Sequence, residues 1–231
     1  MHYTLRLHLK IQSEKKFMFR TLSRFNKLKT GQISNETKVG RLASMFHHEV
    51  LHKNESFDFS AFGETLIGRT TKALSIAQDF SREASAQVPP GKIMMVPYMF
   101  DTPSKRRGEI PSVRFIIHAS DIASDEPWFT DVVKEIKVAS TSVPESIGKD
   151  LHDLYLKQVN RFELRCVGEV QCAKAVLSMA LFNENVRAHK LTAWFSNELV
   201  SDGYRTEKRM IRAILFNVRI IDSAQQIHSP S

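Results

Sequence analysis

Apolar and polar residues alternate strictly from Tyr3 to Ile11, with Leu5, Leu7, Leu9 and Ile11 on one side and Arg6, His8 and Lys10 on the other. That is the period of a half-buried strand, and it argues against a secretory signal, which needs a continuous apolar stretch. The start is also basic and poor in acids, so an organellar targeting peptide stays open for roughly the first 20 residues. Residues 17–25 read as a second extended segment. Beyond them the pattern predicts a strand at 25–31, a helix at 36–52, a strand at 57–62, a helix at 66–80, and strands at 92–100 and 110–118. The same order then returns: a strand at 135–139, a helix opening at Ser142, a strand at 161–166, a helix at 170–182, and strands at 191–195 and 209–221. Ser142 with Glu145 three residues on reads as a capping box, and Pro144 falls in the first turn, where a missing amide does no harm. Ile147, Leu151, Leu154 and Tyr155 line one face of the helix that follows.

Short matches tie the two series together. Phe57-Asp-Phe-Ser-Ala-Phe-Gly-Glu64 returns as Phe162-Glu-Leu-Arg-Cys-Val-Gly-Glu169, and Ser34 to Arg41 has the shape of Ser142 to Lys149. Ile93-Met-Met-Val-Pro-Tyr98 answers Leu191-Thr-Ala-Trp-Phe-Ser196, and Val113-Arg-Phe-Ile-Ile117 answers Ile211-Arg-Ala-Ile-Leu215. The offset drifts from 108 to 105 to 98 along the chain, as loop insertions produce, while the order of the matches is kept. The chain therefore reads as a tandem duplication: an extension at 1–24, a first repeat at 25–119, a linker rich in Asp, Ser and Pro at 120–131, a second repeat at 132–222 and a tail at 223–231. The segments between the last two strands of each repeat, 101–108 and 196–203, are too long for tight hairpins and read as extended arms.

Composition changes this picture in one respect. The chain has 231 residues, 42% of them hydrophobic, and no apolar run approaches the roughly 18 residues of a membrane span. Its two cysteines, Cys166 and Cys172, suit neither a disulfide framework nor a zinc cluster and read as small core residues in a reducing, intracellular setting. The net charge of +8 is concentrated. Residues 1–120 carry 19 Lys and Arg against 10 Asp and Glu, or +9; residues 121–231 carry 14 against 15, or −1. A basic half of this kind suggests a polyanion, most simply nucleic acid.

In this order of elements the chain resembles the stage V sporulation protein S family of the Alba-like nucleic-acid-binding superfamily. The resemblance rests on Ile136-Lys-Val-Ala-Ser-Thr-Ser-Val-Pro144, on the helix entry from Gly168 to Ala180 with its spaced Ala173, Ala175 and Ala180, and on Ile93 to Asp101. It covers about residues 25–119 and 132–221. It implies an α+β, two-layer fold: two tandem Alba-like β-α-β-α-β-β units, each a four-stranded sheet with two helices on one face, joined like a dimer made covalent. It also implies nucleic-acid binding without base-specific chemistry, through basic residues at the start of the first helix and the arm between the last two strands. Carried onto this sequence, those positions are Lys27, Lys29, Arg41, Lys105, Arg106 and Arg107, and in the second repeat Lys137 and Lys149. The second arm, Asn197 to Gly203, is acidic and departs from the pattern.

Arg69 and Lys72 lie three apart on the second helix and share a face that can track a phosphate backbone or be an ordinary solvated surface. Phe17, Phe19 and Phe25 could stack on bases if exposed, and otherwise belong to core or interface. His47, His48 and His52 hint at metal, yet no downstream ligand stands out; a surface or partly buried pair is the better reading. Glu64 and Glu169 recur at strand-to-helix junctions, where negative charge suits a helix N-terminus. With no nucleophile motif, P-loop or dinucleotide fingerprint, the sequence predicts no catalytic residues, no metal and no cofactor. The expected function is non-catalytic binding of nucleic acid, RNA more than DNA, within a ribonucleoprotein, in an organelle such as the mitochondrion or otherwise the cytoplasm, with protein partners on the second repeat and a possible homo- or hetero-oligomer. The alternative is a scaffold subunit that touches nucleic acid little.

Overall fold

The computed structural model describes residues 29–34, 36–84, 92–99, 110–120, 134–159, 161–186, 188–201 and 210–222. The strands are β1 (Lys29–Gln32), β2 (Phe57–Phe62), β3 (Lys92–Met99), β4 (Ser112–Ser120), β5 (Glu135–Val138), β6 (Arg161–Cys166), β7 (His189–Ser201) and β8 (Met210–Asp222). Among the described residues four helices accompany them: α1 (Val39–Phe46), continued by a π-helical segment (His47–His52), α2 (Glu64–Ala84), α3 (Pro144–Leu156) and α4 (Glu169–Asn185). The fold is mixed α+β. All eight strands form one mixed sheet in the order β1-β2-β4-β3-β7-β8-β6-β5.

Read from either edge the order is the same. β1 is parallel to β2, which pairs antiparallel with β4, and β4 pairs antiparallel with β3; β5, β6, β8 and β7 repeat those relations. The two sets meet where β3 runs antiparallel to β7 at Met95↔Ala193. The helices pack side by side as α1-α2-α4-α3. Alternate strand residues, among them Phe59, Phe115, Met95, Ala193, Phe216 and Leu164, meet them in one continuous core. A single core thus lies under a single sheet.

The junctions explain the recurring Gly-Glu. Gly63 (φ 82°) and Gly168 (φ 102°) both take the left-handed conformation at the end of β2 and β6, where a side chain is strained. The carbonyls of both then accept the first helical bonds, from Ile67 N (3.1 Å) and Cys172 N (3.2 Å). Glu64 and Glu169 follow as the first residues of α2 and α4, each an acid in the first turn.

Several expectations are corrected. Ser142 makes no capping box: Val143 is the N-cap of α3, and Ser142 Oγ instead accepts from Ala139 N at 3.0 Å, closing the turn before it. The first helix does not run evenly through 36–52, because its second half winds as a π-helix. Ser120 ends β4 and is no part of a linker. Residues 196–201 lie in β7, paired with β8 as far as Ser201↔Met210, so the second arm starts as a ladder. The match of Val113 with Ile211 is three residues out of register: Phe57 pairs with Ile117 and its counterpart Phe162 with Val218, so the last strands correspond at an offset of 101. An odd slip exchanges the two faces of a strand. Arg212 therefore lies on the helix side, where it meets Asp79, while Arg114 lies on the other side against Asp58. The extension 1–24, with Phe17 and Phe19, residues 121–131 and the tail 223–231 lie outside the described residues, as does Phe25.

Candidate nucleic-acid interface

Strand direction decides which loops can act together. β1 and β2 run parallel, and β3 runs with them because both β2 and β3 oppose β4. Their carboxyl ends therefore share one side of the sheet, and with them the start of α1, the start of α2 and the two bases of the segment 100–109. The Gly63 amide donates to Pro111 O at 2.7 Å, tying that segment's return to the α2 junction. Arg41 is exposed in the first turn of α1, and Lys29 opens β1. Lys27, Lys105, Arg106 and Arg107 lie outside the described residues.

The second half repeats the arrangement with different chemistry. Lys149 is exposed on α3, and Lys137 on β5, 79% exposed, stands 4.0 Å from Glu135. Because β7 opposes β3, the chain leaves the two strands at opposite ends of the seam. Glu198, an acid of the expected repelling arm, is held 3.0 Å from Arg165, which also lies 3.4 Å from Glu135 and 3.8 Å from Glu163. Burial, above all, raises the Glu163 pKa. Asn197, in the ladder with which that arm starts, accepts from Ser75 Oγ at 2.7 Å and donates to Asp79 Oδ2 at 2.6 Å, linking β7 to α2.

Arg69 and Lys72 are brought together, but by a carboxylate. Glu169, at the start of α4, stands 3.9 Å from Arg69 Nε and 3.4 Å from Lys72 Nζ. Here α2 and α4 approach so closely that a Cβ on Gly68 would collide with the Glu169 carbonyl. Beside this crossing lies a cleft of about 190 Å³, lined by Lys72, Ser75, Glu169, Cys172, Asn197 and Arg212 among others. Arg212 is 3.3 Å from Asp79 at its edge. Sequence reasoning missed Asp79, Asn197 and Arg212; the recurrence of Glu64 and Glu169 was visible, but nothing local signalled that Glu169 faces the other half's helix.

Buried amides close the seam. Gln78 on α2 accepts from Ile93 N at 2.7 Å, and Asn183, 105 positions later on α4, accepts from Leu191 N at 2.5 Å. Asn183 also donates to Pro97 O at 2.8 Å and Leu191 O at 3.1 Å, spanning β3 and β7. Thr192 Oγ1 donates across the seam to Met95 O at 3.3 Å.

His47, His48 and His52 gather on the π-helical segment, with ring centroids 4.7 Å apart for His47 and His52 and 6.0 Å for His48 and His52. Burial first, then the neighbouring imidazoles, lowers the His47 pKa. Among the described residues no group of three or more His, Cys, Asp or Glu is arranged to hold a metal ion. Cys166 and Cys172 are both free and buried. Among the described residues, no helix is long and apolar enough to cross a membrane. The chain matches no protein-family model and no curated protein.

Proposed function

We propose that the chain binds nucleic acid, RNA rather than DNA, as two tandem Alba-like units of which the first grips the phosphate backbone. The observation that carries this reading is the shared end of β1, β2 and β3, where exposed Arg41 and both bases of the segment holding Lys105, Arg106 and Arg107 come to one side of the sheet. Phosphate recognition needs only such clustered cations, and each contact releases counterions, so affinity falls steeply with salt. The sheet order β1-β2-β4-β3 with two helices on one face, repeated in mirror order by β7-β8-β6-β5, supports the reading as two tandem units. The second half, with a net charge of −1 beyond residue 120 and Glu198 engaged by Arg165, suits protein contacts within a ribonucleoprotein.

Binding of labelled single-stranded RNA, double-stranded RNA and duplex DNA across a salt series tests this, with Lys105→Ala/Arg106→Ala/Arg107→Ala alongside. Salt-sensitive binding that the triple variant loses supports the reading. No binding at low salt turns it towards the scaffold alternative.

A further inference from the structure

The two cations that the second helix contributes, Arg69 and Lys72, do not face solvent unopposed. Their neighbour is Glu169, a residue of the other half, which stands 3.9 Å from one and 3.4 Å from the other. All three side chains remain partly accessible, at 33% for Arg69, 48% for Lys72 and 34% for Glu169. The pairing is therefore one that a competing anion can reach, and an exposed ion pair is weak enough to be exchanged. Asp79 stands in a similar relation to Arg212, which lines the cleft beside the crossing, at 3.3 Å with Arg212 59% exposed. Lys72 of the first half and Arg212 of the second thus line one groove, each beside a carboxylate from the opposite half, and Arg69 adjoins it next to the same Glu169.

We propose that this groove is a second phosphate-contacting surface for the nucleic-acid strand, and that Glu169 acts as an internal competitor: a backbone phosphate displaces its carboxylate from Arg69 and Lys72. The inference rests on the nucleic-acid reading above but concerns a different surface, since neither Arg69 nor Lys72 belongs to the arm or to the first helix. Glu169 holds the two cations in position when no strand is bound and sets a threshold that weakly charged ligands do not pass. Glu184 supplies the comparison. It lies on the same helix as Glu169, at the opposite end of α4, and is exposed.

The test is RNA affinity of the full chain at low salt for the wild type, Glu169→Gln, Glu184→Gln, and Glu169→Gln in an Arg69→Ala/Lys72→Ala background, with thermal melts to verify that each folds. Both glutamine variants gain the same unit of charge. Glu169→Gln is expected to tighten binding about three- to fivefold and to steepen the salt dependence, the size set by the loss of a weak ion pair and the gain of phosphate contacts. Glu184→Gln leaves affinity nearly unchanged, and the gain disappears without Arg69 and Lys72. Equal effects of the two glutamine variants, or no tightening by Glu169→Gln, overturn the proposal. If the arm triple variant still loses binding in that case, the nucleic-acid reading stands alone; if no variant binds at all, both fall.

Discussion

The two halves of the sheet share a skeleton and differ in what they do with it. Each closes its second junction with a left-handed glycine, caps the start of its third strand with a buried helical amide, and ends its first helix near a residue of positive φ, Asn54 (53°) or Gln158 (60°). Yet the first half carries exposed Arg41 beside the bases of a three-residue basic run, while the second binds its own arm residue Glu198 to Arg165. Positions that hold backbone geometry are therefore kept alike, and positions facing solvent have parted. Such a division is expected when one copy keeps a ligand and the other is released to make different contacts.

The helix crossing sharpens the contrast most. Gly68 has no room for a Cβ against the Glu169 carbonyl, whereas a Cβ on Gly40 meets nothing within 4 Å. Gly68→Ala is expected to destabilise by about 3 kcal/mol through overpacking, and Gly40→Ala to stabilise by about 0.5 kcal/mol through helix propensity. Chemical denaturation of both checks the opposite signs. Next in size are the seam amides. Asn183→Ala strands Leu191 N and Pro97 O and should cost about 2–3 kcal/mol, and Gln78→Ala about 1–2 kcal/mol, because a buried unpaired group forfeits its hydration. Equal losses would mean that the bond from Asn183 to Pro97 contributes nothing to the seam.

A smaller effect separates the halves by pH. His118 on β4 pairs with Met94, and its structural counterpart on β8, at the 101 offset, is Arg219. His118 is half-buried as a residue, but desolvation of the imidazole pushes its pKa down to about 4. The unfolded chain takes up that proton near pH 6.5 and the folded chain only near 4, so stability should be full above 6.5 and decline as pH falls between the two. His118→Asn should flatten this part of the profile in melts at pH 7, 6, 5 and 4; an unchanged slope assigns the decline to other groups.

Much of this architecture was legible from local pattern. Strict alternation at Phe57, Phe59 and Ala61 marks β2, and Gly63 with Glu64 marks its end, because those signals arise within a few residues. What escaped were facts created by long-range packing. The similarity of Val113-Arg-Phe to Ile211-Arg-Ala suggested one register, yet pairing with β2 and β6 set another, sending Arg212 to the helix side. The π-helical segment at His47–His52 has no breaker to announce it. At the candidate interface, Arg41, Arg69 and Lys72 could be named from charge and spacing, but Glu169 as their neighbour required knowing that α2 crosses α4.

The central claim is that, of two halves built alike, the first grips the phosphates. Hydrogen–deuterium exchange of the full chain with and without bound single-stranded RNA addresses it directly. The account predicts protection at the start of α1, the junction at Gly63 and the segment between β3 and β4, with the corresponding places around α3 and the segment between β7 and β8 unchanged. Equal protection in both halves, or protection confined to the second, would contradict it.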